Sequence, residues 1–278
     1  MRLSLIDAVS DPGRAGRANE DGWGTAGHFA WIIDGATGLG DAPLLDAPSD
    51  AAWLTAVVSE ALAEGAEKPG DPSELLATAA AIAEARFLAE RRRAPSERYE
   101  IPTCAVLLAR FEEEGVTTVD LGDCGLYLSA GGTIHRVGGT EAGRALEKAN
   151  AERLMKGGGG RGPEVMALLR AVRNRANTPG GYAILAPDAD SARRARRNFL
   201  PAREGLAILL TDGFEAAVED YALLTPQELA ARAAALGGVL AALRAVERDD
   251  PDCTRYPRFK PSDDATAVAL GFGPVQAL

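Results

Sequence analysis

Apolar positions along the first third of the chain come in short runs broken by turn residues. Leu3–Val9 predicts a strand that ends at the turn Asp11-Pro12-Gly13, and His28–Asp34 (HFAWIID) predicts a second, ended by Gly35. The period then lengthens. From Asp50 to Glu64, Trp53, Leu54, Val57, Val58, Ala61 and Leu62 share one helical face, with Gly65 as the stop. Asp71-Pro72-Ser73-Glu74 has the form of a helix start: a capping acid, proline at the first helical position, and an acid three residues past the cap. The apolar face of this helix is Leu75, Leu76, Ala79, Ile82, Ala83 and Phe87. Four closely spaced strands follow at Thr103–Phe111, Val116–Leu121, Gly125–Ala130 and Thr133–Val137, and such short turns favour antiparallel meanders.

Residues 140–178 break the pattern. They are polar and rich in Arg and Gly, with a glycine run at Gly157–Gly160 read as a loop, and a short helix starting at Pro163. Strands are expected again at Gly181–Ala186, Leu206–Thr211 and Ala265–Leu270. A helix opens on the capping box Thr225-Pro226-Gln227-Glu228 and buries Leu229, Leu236, Leu240 and Leu243. Strands, then helices, then strands, helix and strand predict an α+β sandwich, not regular βαβ winding.

The 278 residues carry a formal net charge of −10. A chain this acidic is repelled by nucleic acid and by anionic membranes, so neither partner is expected. No apolar run reaches the roughly 18 residues of a membrane span, and Asp7 interrupts any leader-like core, so a cytoplasmic location is expected. Cys104, Cys124 and Cys253 show neither zinc spacing nor a disulfide pattern. His28 and His135 lack ligand spacing, and Cys124 reads as a packing residue. The basic runs Arg91–Arg93 and Arg193–Arg197 read as solvated helix faces.

The chemistry-bearing residues are acids at strand ends: Asn19-Glu20-Asp21, Asp34-Gly35, Gly122-Asp123, Thr211-Asp212-Gly213 and Asp263-Asp264. Mg²⁺ and Mn²⁺ are hard cations that take oxygen ligands in octahedral geometry. A carboxylate just past an apolar strand is fixed yet open to solvent, and a glycine beside it lets the backbone carbonyl approach a metal.

In that order, with Thr103 opening a strand and Asp263-Asp264 followed by Thr266, these motifs resemble the set found in the PPM (protein phosphatase 2C type) metal-dependent phosphatases, over residues 10 to 271. The resemblance implies one domain spanning 1–278: a four-layer αββα sandwich of two mostly antiparallel β-sheets flanked by helices, with a flap-like insertion at about 140–178. It implies two Mg²⁺ or Mn²⁺ ions. Asp34 would bridge them, the Gly35 carbonyl would bind one, and Asp212 and Asp263 would complete the other site. Glu20 and Asp21 would act through bound waters, and Asp123 would serve a third ion. Arg17 would grip the substrate phosphate, since a guanidinium fork suits that task. The implied reaction is hydrolysis of phosphoserine or phosphothreonine in proteins by a metal-bridging water. The implied partners are a phosphoprotein substrate and a Ser/Thr kinase that makes it.

Three positions depart from the family pattern. Arg17 stands four residues before Asp21 instead of five, with Gly16 in the usual place, so Arg14 is a rival phosphate ligand. Ala36 occupies the position of a histidine that protonates the leaving group in animal members. Asp264 replaces an asparagine and adds negative charge near the metals. An inactive phosphopeptide-binding relative and a phosphatase of a small metabolite are the alternative readings.

Overall fold

A computed structural model of the chain describes residues 1–68, 70–139 and 162–274. Among the described residues, ten strands form two five-stranded antiparallel sheets. The first holds β1 (Arg2–Asp11), β10 (Ala265–Gly273), β9 (Gly205–Leu210), β6 (Gly125–Ala130) and β7 (Thr133–Val137), in that order. The second holds β2 (Gly22–Ala26), β3 (Phe29–Ala36), β4 (Thr103–Glu112), β5 (Gly115–Leu121) and β8 (Arg196–Leu200). The helices among the described residues are α1 (Asp50–Gly65), α2 (Pro72–Glu90), α3 (Pro163–Asn174), α4 (Asp212–Glu219), α5 (Pro226–Ala231) and α6 (Leu236–Asp249).

Strand alternation sorts the apolar residues into three layers. Phe29, Trp31 and Ile33 of β3 face α1 and α2, where Leu54, Val58, Leu62 and Leu76 are fully buried against them. Ala30 and Ile32 face the other way and meet Leu126, Leu128, Leu209, Val268 and Leu270 of the opposite sheet. The far side of that sheet, with Ile208, Leu210, Ala267 and Ala269, is covered by Phe214 of α4 and Leu236, Val239 and Leu243 of α6. Each fully buried Leu, Ile or Phe contributes about 1.5–3 kcal/mol. The layers are helix, sheet, sheet, helix, as expected.

Most expected elements stand within two residues of their reading. The two helix starts expected from capping motifs stand as expected. Asp71 accepts a hydrogen bond from the Ser73 backbone N–H, and Thr225 and Glu228 close a reciprocal capping box. Several expectations fail, each for a tertiary reason. β2 reads Gly-Trp-Gly-Thr-Ala and gives no strand signal, but the Trp31 ring lies over Gly24, where a Cβ would sit 2.3 Å from it. Gly181–Ala186 forms no strand; it touches β4 through one Cys104–Leu185 bridge and is tied by Asn177, whose side chain bonds the Ile184 N–H and C=O. The basic run Arg193–Arg197 is a solvated helix face only at Arg193 and Arg194, which end the short 3₁₀ helix Ala192–Arg194. Arg196 and Arg197 start edge strand β8 and pair with Asp120 and Asp71. Asp212-Gly213 stands just past the end of β9, as expected, but also forms the first turn of α4, which was not expected. The last helix is two, α5 and α6. Asp7 caps the second from across the fold, accepting the Leu236 N–H at 2.8 Å. Ile82 is 37% exposed instead of core-facing.

The expected insertion at 140–178 lies partly outside the described residues, with the Gly157–Gly160 run. Within it, α3 docks on the loops after β3 and before β4. Arg170 donates to the Leu39 carbonyl and pairs with Asp41, and Asn174 accepts the Tyr99 N–H. No helix among the described residues is long and apolar enough to cross a membrane.

Candidate active site

Antiparallel register gathers the acids. Asp34 lies opposite Ala105 at the end of β3, and Leu121 of β5 lies opposite Val106, which carries Gly122-Asp123 to the same edge. Gly122 has φ +82°, and its Cα face rests on Ala105. Across the sandwich, Leu210 of β9 pairs with both Gly125 and Ala267, so Asp123, Asp212 and Asp263 arrive together. Asp11 closes β1 opposite Ala265, and the loop it starts leads to Asp21.

Two glycines let the backbones come this close. A Cβ on Gly35 would stand 2.4 Å from the Glu20 carbonyl oxygen, and one on Gly213 would stand 2.0 Å from that of Asp264. The 12–21 loop is then pinned by charge-assisted bonds, since Asp264 accepts the N–H of Gly13 at 2.9 Å and of Glu20 at 2.6 Å. The Asp264 carboxylate thus holds the loop, and its charge also raises the cost of ionising nearby Asp21. Thr211 links three elements. Its hydroxyl accepts the Thr266 N–H at 3.0 Å and donates to Asp21 Oδ2 at 2.9 Å.

The electrostatics are those of carboxylates crowded out of water. Burial first, then the charges of Asp212 and Asp21, push the Asp34 carboxyl well above the ordinary range. Asp212 is pushed up to about 7 by burial and by Asp123 and Asp263, while a hydrogen bond with Asp34 opposes the shift. Asp21 and Asp123 are raised in the same way, burial again leading. Asp21 Oδ1 and Asp212 Oδ1 are buried oxygens without any hydrogen-bond partner. A buried acceptor left unpaired is costly, and a cation is the natural partner for a cluster of them.

All donors here are carboxylate or carbonyl oxygens, which suits a hard divalent ion. Among the described residues, no three His, Cys, Asp or Glu side chains are placed so that together they could hold a metal ion. In the structure a countercharge reaches this cluster from Lys260, whose ammonium forms an ion pair with Asp263.

Lys260 did not figure in the sequence reading, although its i, i+3 spacing to Asp263 was visible. Sequence reading also missed Glu215, buried in the first turn of α4 and held by Arg136 through bonds of 2.7 and 2.6 Å. A cavity of about 420 Å³ beside the acids is lined by Asp123, Asp212, Glu215, Tyr256, Lys260 and Asp263, among others.

Glu20 presents its backbone to Gly35, whose N–H it accepts at 3.1 Å, and its carboxylate accepts the Thr37 hydroxyl at 2.6 Å. Arg14 and Arg17 occupy one exposed turn, closed by Arg17 N–H to Arg14 carbonyl at 3.2 Å, with Gly16 at φ +80°. Neither arginine side chain is engaged in an ion pair among the described residues. Thr103 is buried at the start of β4, next to Ala36, and its hydroxyl has no partner. Cys124 is buried between the sheets, and His28 and His135 are exposed.

No family model matches the chain, and no curated protein matches it. Solved structures do. The Mycobacterium tuberculosis serine/threonine phosphatase PstP/Ppp superposes with a TM-score of 0.60 at 15% identity, covering 98% of this chain and 99% of that one. The PstP catalytic domain in complex with two manganese ions gives 0.56 at 16% identity, covering 98% of each. The PPM Ser-Thr phosphatase MsPP from Mycobacterium smegmatis, in complex with cacodylate, gives 0.55 at 14% identity over 98% and 100%. At these identities the likeness establishes the fold.

Proposed function

We propose that the protein is a metal-dependent serine/threonine phosphoprotein phosphatase, a single domain with an insertion at about 140–178 beside its site. The observation that carries this reading is the convergence of Asp21, Asp34, Asp123, Asp212 and Asp263 at one end of the sandwich, with two of their buried oxygens unpartnered. The shared fold with PstP and MsPP supports it.

Asp34, the Gly35 carbonyl, Asp212 and Asp263 would hold two Mg²⁺ or Mn²⁺ ions, Asp21 and Glu20 would orient water around them, and Asp123 would serve a third. Such ions supply Lewis acidity, lowering the pKa of a nucleophilic water and neutralising phosphoryl oxygens. The protein's part is positioning. Thr211 and Thr266 hold Asp21, and Asp264 fixes the loop that carries both Asp21 and the arginines. Arg17, or Arg14 on the same turn, binds the phosphate. Water oxygen bonds to phosphorus as the bond to the serine or threonine oxygen breaks. Ala36 offers no proton, so solvent protonates the leaving oxygen. The products are inorganic phosphate and the free hydroxyl side chain, and a Ser/Thr kinase must supply the substrate.

The test is hydrolysis of p-nitrophenyl phosphate and of a phosphothreonine peptide with Mn²⁺, with Mg²⁺ and after EDTA. Hydrolysis of both that disappears on chelation is expected. Full activity after exhaustive chelation overturns the reading, and peptide binding without turnover points to a phosphopeptide-binding module instead.

A further inference from the structure

The loop from Asp250 to Asp264 is built around one carboxylate. Asp250 accepts the backbone N–H groups of Thr254, Arg255 and Tyr256 at 2.9, 3.0 and 3.1 Å, and the Arg258 guanidinium at 2.6 Å. Arg258 also donates to the carbonyls of Asp250 and Tyr256, and through Nε to that of Pro261 at 3.0 Å. The backbone is therefore tied down on both sides of Lys260. From there the lysine stem runs inward, 25% exposed, and its ammonium meets Asp263.

Among the described residues that line the cavity, Lys260 is the cation that meets the acids. Of the other basic residues on the cavity, Arg258 is committed to the loop and Arg255 lies over the Tyr256 ring at 5.0 Å. Arg136, close by, is committed to Glu215. Lys260 shares the cavity wall with Asp123, Asp212 and Asp263.

Resting on the metal reading above, we propose that Lys260 is a built-in counter-cation: it holds Asp263 in place when no divalent ion is bound and competes with that ion for it, so that it sets the cation concentration at which the site fills. Two physical points support this. A monovalent ammonium and a divalent ion cannot share one carboxylate in a low-dielectric setting without strong repulsion, so entry of the ion displaces the ammonium. A lysine, unlike an arginine fork, is a point charge on a flexible stem and can swing away while its backbone stays fixed. Lys260 is thus a positioning residue for the cation site.

The experiment is Mn²⁺ titration by calorimetry on the full chain, with Lys260→Met and Lys260→Arg, alongside thermal melts in EDTA and in saturating Mn²⁺. Lys260→Met is expected to bind Mn²⁺ about tenfold or more tightly, and Lys260→Arg, whose fork grips Asp263 at two points, to bind it more weakly than the parent. In EDTA the Met variant should melt below the parent, and in saturating Mn²⁺ the gap should close. A Met variant that folds only with Mn²⁺ also supports the proposal. Equal or weaker Mn²⁺ binding by Lys260→Met, with the parent binding normally, overturns the proposal and leaves the metal reading intact. No Mn²⁺ binding by parent or variants overturns both.

Discussion

At Asp212, burial and the charges of Asp123 and Asp263 work against ionisation, while the proposed role demands a carboxylate. The consequence for stability has a definite sign. An unfolded Asp ionises near 4, whereas the folded carboxyl does so at about 7. The folded state therefore binds the proton more tightly, and this group's contribution is complete below about pH 4. It is lost as pH rises through about 7. Asp212→Asn removes the penalty. At pH 8 in EDTA its Tm should lie roughly 2–6 °C above the parent's, while phosphatase turnover with Mn²⁺ falls by about a hundredfold or more. Scanning fluorimetry and p-nitrophenyl phosphate kinetics check the two halves separately. The arginines pose a different question at this scale, because both stand exposed on one turn. If Arg17 binds phosphate, Arg17→Ala raises KM with little change in kcat or Tm, and Arg14→Ala behaves as parent. The reverse pattern moves the role to Arg14, and normal kinetics in both variants removes arginine from the mechanism.

Among the elements, the segment from Gly13 to Asp21 has almost no core of its own. It is held to the sandwich by Asp264, Thr211 and the close approach at Gly35. Asp264→Ala deletes two charge-assisted bonds to backbone N–H groups and should cost about 2–4 kcal/mol. It should also speed tryptic cleavage at Arg14 and Arg17, which limited proteolysis measures. An unchanged cleavage rate would mean that the loop is held elsewhere. How far such elements were legible in the chain depends on where their stability arises. α2 and α5 declare themselves through local caps, and β4 to β7 through apolar runs between turns. β2 and β8 do not, because their partners are Trp31 over Gly24 in one case and Asp120 opposite Arg196 in the other. α4 hides behind an Asp-Gly pair that reads only as the end of a strand until Phe214 and Ala217 are seen packing on the sheet.

For the whole molecule, the acids of the site come from both sheets, so a divalent ion bound there ties the two halves of the sandwich together. Ligands that bind only the folded state stabilise it by mass action, by about 2.7 kcal/mol at a hundredfold excess over Kd. Mn²⁺ should therefore raise the Tm of the parent by several degrees, EDTA should reverse the rise, and Asp34→Asn should abolish it. A melt insensitive to Mn²⁺, Mg²⁺ and EDTA would count against the site. The chain by itself determined the helix caps, most of the strands, the α+β layering and the acids, because these are written in local periodicity and in residue type. Tertiary structure alone decided which acids meet, that Asp264 spends its charge on the 12–21 loop, and that Lys260 reaches Asp263 from a loop clamped by Asp250 and Arg258. The reason is distance along the chain: Asp21, Asp34, Asp123, Asp212 and Asp263 are brought together by strand register, and register is set by the burial of two sheet faces against each other.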